Sequence, residues 1–528
     1  MTAVPEAVAE RAQQILLRGR SSLAGLPGLE PEGRSMGLAL AGQPVPLATA
    51  EPFRWTSEVC RSASELLNTL QWSAGLSGGL GPLPLLRAQQ TFFESLRTTV
   101  FSVSVVVQAR RVVAALACED ISCRPDLAIP ASPAELDAFV AAHGDSWVQT
   151  VWIGGQMQGV YTLYAQSREQ ARDVALSLDA LVRSGPVSLG PSFSQQLRAV
   201  AKDSNVNVRF QVSISGLANP PAITEDTMAA FASGFGAIEL DKPEVLALQT
   251  LGYEEVPQLR EVFQPVARNR IQLCGRGSSN PGWLRQWQRL REIVNQCDWV
   301  ETTLASYGVP LDPSLAPNRE RLRADLHAIE GLCAHYQDSP STPLPALALE
   351  GLAIGSPQLR VRLSDGDVMG GGGGAPFRYQ DRENAVRRRR RLVQVGLRAG
   401  NRIDQIRLRY QQDPVGAADE WINETHGGEG GSDLGAIELA PGVGLTRIKA
   451  HTGIPNGRVD ALWLFSGDGQ RIGGGGTKGN TPLDWSAAPN QVVLGFSGRS
   501  AAELDSLWAV IATFEPLAWE PLRLEDDP

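Results

Sequence analysis

GNRIDQIRLRY, Gly400–Tyr410, is the stretch on which the reading of this 528-residue chain turns. A glycine opens a short turn, an aspartate closes it, and an apolar strand follows. The order recurs at Asn456-Gly-Arg-Val-Asp460 before ALWLF, and at Ala501-Ala-Glu-Leu-Asp505 before SLWAVI. Glycine clusters recur beside these turns, as GGGGG at 370–374, GGEGG at 427–431 and GGGG at 473–476. Three similar units of strand, turn and glycine loop imply a three-sided β-prism. The run MGGGGGA at 369–375 marks its upstream boundary.

A carboxylate in a tight turn accepts hydrogen bonds from neighbouring sugar hydroxyls, and exposed backbone N–H groups add donors. Glycine opposite removes side-chain bulk, so a sugar ring can approach the backbone. The pieces GNRIDQIRLRY, HGGEGG and GFSGRSAAELDSLWAV (Gly495–Val510) resemble the jacalin-related lectins over about 370–515. That resemblance implies sugar-binding turns of the form G-x-x-x-D. The candidates are Gly400 and Asp404 with Gly427, Gly428, Gly430 and Gly431; Asp460 with Gly473 and Gly474; and Asp505 with Gly371 and Gly372. Only Gly400–Asp404 keeps the form whole, because Asn456 and Ala501 stand where the other turns need glycine. A lectin fold that has lost sugar binding and serves for docking is the alternative.

Upstream the pattern is one of long strands. In NVNVRFQVSIS, Val206, Val208, Phe210, Val212 and Ile214 point one way and the polar residues the other. Phe101–Ala109 alternates almost as strictly, and a third strand runs from Trp147 to Tyr164 through Gly154-Gly155. Paired glycine within a strand lets a sheet bend. Between the strands lie segments 64–98 and 167–205. In the second, Val174, Leu178, Leu181 and Val182 share a face at helical period, whereas Val174, Leu176, Leu178 and Ala180 share one at period two. Both segments exceed the roughly 25 residues that a transmembrane hairpin needs. Ordinary amphipathic helices packed on a sheet would read the same way. If hairpins form, Pro82, Pro84, Pro186 and Pro191 must fall in turns or at edges.

The stretch from Phe139 to Gly155 resembles the signature of the membrane attack complex/perforin family, through Gly144, Asp145, Trp147, Gly154 and Gly155. His143 stands where that family has an aromatic residue. The resemblance implies a bent central antiparallel sheet flanked by two helical clusters that unfurl into hairpins. Only a closed barrel satisfies strand edges in lipid, so copies would assemble in a ring. Asp145 and His143 look like an acid/base pair, but polar groups in a loop at a helix end explain them more cheaply.

The fold expected is therefore α+β. A lead-in helix (1–40) precedes a perforin-like domain (41–350, helical over 224–335). A linker (351–369), an all-β prism with a pseudo-threefold repeat (370–517) and an acidic tail (518–528) follow. At 43% hydrophobic and 20% charged the chain is globular, and a net charge of −9 argues against nucleic-acid binding. Six cysteines without CxxC spacing and five histidines point away from a zinc cluster. No catalytic constellation, metal site or cofactor is expected. The N-terminus lacks the apolar core of a Sec signal, which predicts a protein made soluble and released by lysis or a signal-free route. Arg387–Arg391 reads as a strand with a solvated face or one that meets anionic headgroups. The function expected is a pore-forming toxin, such as one aimed at an animal or insect gut. It would bind a glycan or glycosylated receptor on a target-cell membrane, oligomerise and insert a β-barrel. A non-lytic adhesin or docking protein is the alternative.

Overall fold

Two strands run side by side through the middle of the N-terminal half, and each changes its outer partner partway along. They are β4 (Ser102–Cys123) and β5 (Ser146–Tyr164), antiparallel from Ser102↔Tyr164 to Ala117↔Thr150. β4 pairs first with β3 (Phe53–Cys60) and then with β2 (Leu40–Pro46). β5 pairs first with β7 (Glu244–Gly252) and then with β6 (Asn207–Ser215). The computed structural model describes every residue except 1–5, 24–35, 48–52, 71–90, 94, 166–167, 184–191, 205, 276–281, 381, 383–384, 387, 413–419, 454–456, 477–480 and 522–528. The prolines at 82, 84, 186 and 191, and Asn456, lie outside the described residues.

The glycine pair sits at the handover. Gly154 pairs with Glu244 at the end of β7, and Gln156 with Ser215 at the start of the β6 ladder. Opposite, β4 carries a bulge between Val112 and Ala114, which bends the strand and adds twist. A Cβ at Gly154 would overlap the Arg111 carbonyl, and one at Gly155 would lie 2.6 Å from the Leu240 side chain.

Some boundaries differ from the sequence expectation. The lead-in is not separate: β1 (Gly19–Arg20) pairs with Trp147 and Ser146, and Ala12 of α1 (Glu6–Ile15) is buried with Leu116, Val148 and Val151. The region 224–335, expected to be helical, contains β7, because Leu246, Ala247 and Leu248 fill the lower sheet. α6 (Glu225–Gly234), α7 (Gln264–Cys274), α8 (Gly282–Tyr307) and α9 (Leu315–Asp338) complete that region. On α8, Trp287 is buried and Trp283 and Trp299 are partly so, as core residues.

The C-terminal half is three four-stranded antiparallel units around one apolar core. The first is β14 (Glu420–Gly427), β13 (Ile403–Gln412), β12 (Arg391–Ala399) and β15 (Ser432–Glu438). The second is β18 (Arg471–Gly475), β17 (Val459–Ser466), β16 (Leu445–Thr452) and β19 (Thr481–Ser486). The third is β10 (Met369–Gly370), β21 (Leu504–Phe514), β20 (Gln491–Ser500) and β11 (Ala375–Phe377). The strand after each aspartate alternates inward, burying Ile406 and Leu408, Leu462 and Leu464, and Leu507 and Ala509. β9 (Val361–Asp365) adds to β21, and β8 (Ser356–Gln358) pairs with β22 (Ala518–Glu520). The expected linker 351–369 therefore belongs largely to the prism, and the expected tail begins with a strand.

Of the run Arg387–Arg391, residue 387 lies outside the described residues, and Arg388–Arg390 are not a strand. Arg389 has φ 44°, which breaks extended backbone, and only Arg391 enters β12. Arg388 and Arg390 are 6% and 4% exposed. Arg390 Nε donates to Gln412 Oε1 (2.8 Å), so the run turns inward rather than toward a headgroup layer.

The two halves share a core: Ile293, Val300 and Leu304 of α8 are buried in one cluster with Tyr410, Val493 and Phe514 of the prism. The Tyr307 hydroxyl donates to Arg390 O (3.0 Å), and Gly442 N–H donates to Ser306 O (3.0 Å) at the end of α8. Leu517 N–H donates to Asp312 Oδ2 (3.0 Å), and Trp519 Nε1 to Ser314 Oγ (2.9 Å).

Candidate functional site

At the apex of the prism the three turns and three glycine loops come together, and backbone hydrogen bonds define which positions are equivalent. Gly400 N–H donates to Arg402 O (2.9 Å), Ala501 N–H to Glu503 O (3.0 Å) and Gly453 N–H to Arg458 O (3.4 Å). Ala399↔Ile403, Ser500↔Leu504 and Thr452↔Val459 are the corresponding strand pairs. Gly453, not Asn456, is therefore the counterpart of Gly400. The second turn keeps its glycine but is three residues longer, which the sequence spacing disguised.

The loops answer the turns. Gly427, Gly370 and Gly475 have φ 100°, 98° and 107°, and a Cβ at each would overlap the carbonyl of Asp404, Asp505 or Asp460. That backbone is open only to glycine. One residue on, Gly428, Gly371 and Gly476 donate N–H to those carbonyls at 3.0, 2.8 and 3.0 Å. Gly427, Gly428, Gly430 and Gly431 lie against Asp404, and Gly370, Gly371, Gly373 and Gly374 against Asp505. For Asp460 the flanking pair is Gly475 and Gly476: Gly473 and Gly474 lie in β18, facing Trp463 and Leu434. Gly372 has open space where a side chain would be.

Around two of the carboxylates the cradles match. Gly430 and Gly431 close on Asp404, and Gly373 and Gly374 close on Asp505, with no room for a Cβ against the carboxylate oxygens. Asp404 Oδ2 and Asp505 Oδ2 are buried and accept no hydrogen bond. A buried carboxylate oxygen without a donor is costly, on the order of 1–3 kcal/mol or more. A ligand hydroxyl would repair it.

Each of these loops is clamped by an arginine that the sequence reading passed over. Arg398 Nη2 donates to Glu429 O (3.0 Å) and Gly431 O (3.2 Å), and its Nε to Gly430 O (3.2 Å). Arg499 Nε and Nη2 donate to Gly373 O (2.8 Å) and Gly374 O (2.7 Å). His451 takes this position in the second unit, edge-on to Trp463 at 5.7 Å. The shared offset, R-x-[GA]-x-x-x-D, was the available signal. Arg398→Ala should loosen the first loop and weaken ligand binding there about tenfold, read by titration calorimetry, since three charge-assisted bonds are lost.

The turns are also cross-linked. Glu503 Oε2 accepts from Arg458 Nη1 (2.6 Å) and Arg402 Nη1 (3.1 Å). Partial burial acts to raise the Glu503 pKa, and the two guanidiniums outweigh it, leaving the carboxyl below its usual range.

In the N-terminal half, the signature residues serve structure. Gly144 ends α3 (Pro133–His143), donating N–H to Val140 O (2.7 Å). Asp145 is 1% exposed and accepts from Ser22 N–H (2.8 Å) and the Tyr336 hydroxyl (2.6 Å). Arg270 donates to the Asp145 carbonyl (2.9 Å) and pairs with Glu254. Burial opposes the Arg270 charge, but the Asp145 and Glu254 carboxylates outweigh it and raise its pKa. Trp147 is buried on β5. The Asp145 carboxylate is thus a packing hub committed to structural partners.

The upper sheet carries two insertions on opposite faces. Residues 61–101 join β3 to β4, and 165–206 join β5 to β6. α2 (Ala63–Leu70) belongs to the first, and buries Leu66 and Leu70 with Val106 and Val160. Gln108 Nε2 donates to Thr69 O (2.6 Å), Gln158 Nε2 to Leu70 O (2.9 Å) and Arg110 Nη2 to Leu70 O (3.3 Å). These bonds satisfy carbonyls that the end of α2 leaves open. The second insertion holds α4 (Arg168–Arg183) and α5 (Ser192–Ser204) against Val105, Val107, Met157 and Tyr161. Among the described residues no helix is long and apolar enough to cross a membrane, and no three metal-binding side chains cluster. All six cysteines are free.

Glycine loops closing on turn aspartates at one end of a three-sided prism define a lectin-type architecture. Residues 367–510 match the jacalin-like lectin domain family, and that part of the chain is a jacalin-like lectin domain. Among solved structures the chain is similar to a mannose-binding jacalin-related lectin from Ananas comosus, at 23% identity, covering 28% of this chain and 96% of that one, TM-score 0.24. It is similar also to Malaysian banana lectin, at 20% identity over 29% of this chain and 99% of that one, TM-score 0.23. Artocarpin complexed with methyl-α-mannose follows at 19% identity, 28% and 97%, TM-score 0.23. No curated protein matches this chain.

Proposed function

We propose that this chain binds a mannose-type glycan on a target membrane through its prism apex, and then forms a pore from its two sheet insertions. The glycan reading rests on Asp404: its buried Oδ2 accepts no hydrogen bond and lies in a cradle that only glycine permits. A sugar diol supplies the missing donors, and the open loop admits its ring. Asp505 offers a second cradle of the same shape.

The pore reading, which follows the perforin-like signature, is favoured by register. Cys60↔Ser104, Ser102↔Tyr164 and Tyr164↔Asn207 bring all four upper strands to an end at one level. Each insertion therefore joins antiparallel neighbours, and conversion to a hairpin would only lengthen strands already paired. Leu176 fits this reading too. It is 61% exposed on α4, yet shares a face with buried Val174 and Leu178 at period two. A closed ring of copies then satisfies every strand edge in lipid.

The test is dye release from vesicles bearing a mannosylated lipid, beside bare vesicles, with electron microscopy of both. Wild type should release dye and show rings on the glycosylated vesicles. Asp404→Ala should lose binding at least tenfold and release with it. Equal binding by Asp404→Ala would overturn the apex reading. Binding without release or rings would leave a non-lytic glycan-docking protein.

A further inference from the structure

We propose that Glu503 is a positioning residue for the first sugar turn: it holds Arg402 away from Asp404, so that the Asp404 carboxylate stays open to a sugar diol. This rests on the glycan reading above and adds a residue from a different turn to it. Arg402, Arg458 and Glu503 occupy equivalent positions, each immediately before the first residue of the strand that carries the turn aspartate. Their side chains meet between the turns and form a charge chain. Asp460 Oδ1 lies 3.6 Å from Arg402 Nε, and Arg402 Nη1 lies 3.1 Å from Glu503 Oε2. The same Glu503 oxygen lies 2.6 Å from Arg458 Nη1, and Arg458 Nε lies 3.5 Å from Asp505 Oδ1. All five charges have a partner on another turn.

Asp404 stands outside this chain. Among the described residues it is the one turn aspartate without an ion pair, although Arg402 is only two positions before it. A long, partly exposed guanidinium so close to a buried, unpartnered carboxylate oxygen would ordinarily be drawn to it. Glu503 and Asp460 hold it elsewhere. Had the third turn carried a third arginine in place of Glu503, each guanidinium would keep only its longer contact, to Asp460 at 3.6 Å or to Asp505 at 3.5 Å. Like charge would instead push Arg402 back over its own turn. The single acid in an otherwise basic position therefore keeps the first cradle empty for a ligand.

Replacing Glu503 by Gln should release Arg402 onto Asp404 and make it compete with the sugar. An exposed ion pair changes an equilibrium by up to a factor of about five, so Glu503→Gln should weaken binding of methyl α-mannoside about fivefold by titration calorimetry. The decisive readout is rescue. The double variant Arg402→Ala/Glu503→Gln should return to wild-type affinity, because no guanidinium remains to intrude. Arg402→Ala alone should bind as wild type does. A structural role for Glu503 predicts instead a double variant as weak as, or weaker than, Glu503→Gln. That result, or unchanged affinity in Glu503→Gln, overturns the proposal. Failure of wild type to bind, with Asp404→Ala indistinguishable from it, overturns the glycan reading itself and this inference with it. Unchanged thermal unfolding of the single variants separates misfolding from either outcome.

Discussion

Oxidised Thr69→Cys should release no dye above background, and dithiothreitol should restore release to the wild-type level. Cys60 ends β3, and its Sγ lies 3.4 Å from Thr69 Oγ1 on α2, so a sulfur at position 69 starts within bonding reach of a native thiol. The disulfide would hold those two Cα atoms within about 7 Å. In an extended hairpin strand running on from Cys60, residue 69 would lie roughly 30 Å away. The two states are incompatible, so the effect is all-or-none rather than graded. Burial raises the Cys60 thiol to about 12, which makes it a slow nucleophile. Oxidation with copper–phenanthroline, followed by thiol titration, would establish that the bond has formed. Wild type treated with the same oxidant should release dye normally, since Cys60 then faces the Thr69 hydroxyl, which forms no disulfide. Release by the fully oxidised variant would show that the first insertion stays helical, and would remove it from any pore. Unimpaired binding of the oxidised variant to glycosylated vesicles would show that the lock acts after docking.

The sequence carried the sheet because its strands are long and strictly alternating. Val208, Phe210 and Val212 needed only period two to be read, and Gly154-Gly155 stands where β5 changes its outer partner. It carried the double character of 167–205 but not its choice, since Val174 and Leu178 satisfy both periods. Packing against Met157 and Tyr161 goes with helix over Arg168–Arg183 and Ser192–Ser204. What it could not carry was non-local pairing. β7 is a short strand whose partner lies nearly a hundred residues upstream, and nothing local in EVLALQTLG separates it from a helix. The polar residues Gln108 and Gln158 alternate correctly, yet their task of capping α2 depends on a helix in another part of the chain.

At the apex the aspartates and glycines were legible as a repeat, because each unit must solve the same backbone problem. The insertion in the second turn was not, because Asn456-Gly-Arg-Val-Asp460 imitates the shorter turns in spacing while Gly453 does the structural work. The arginine clamps were visible in principle, at a constant offset before two turns. The Arg402–Glu503–Arg458 chain was not, since it links three turns that the sequence separates widely. Such links appear only once threefold geometry brings equivalent positions together.

Gly308→Val should lower the melting temperature of the prism and its supporting helices by about 6–12 °C and uncouple sugar binding from dye release. Gly308 follows the last residue of α8 and has φ 68°. Val309 N–H donates to Leu304 O and Gly308 N–H to Ala305 O, both at 3.1 Å, which is the pairing that closes a helix through a left-handed residue. A β-branched side chain there costs about 1–2 kcal/mol from backbone strain alone. The site is also a domain contact: a Cβ at Gly308 would overlap the Gly442 carbonyl, while Gly442 N–H caps Ser306 O. Forcing the two apart adds the loss of that bond and of close packing, for about 3 kcal/mol in total. At about 2–4 °C per kcal/mol for a unit of this size, the shift follows. Because Ile293, Leu304 and Tyr307 are buried in the same cluster as Val493 and Phe514, parting this contact exposes apolar surface on both halves. Limited proteolysis should then cut near residue 308 in the variant and spare wild type. The apex lies away from this contact, so methyl α-mannoside binding should survive while release is lost. Gly308→Asn, which tolerates the left-handed backbone better, should fall between the two proteins. An unchanged melting temperature and protease pattern in Gly308→Val would mean that the prism is tethered rather than docked, and that sugar binding places no constraint on how the sheet meets the membrane.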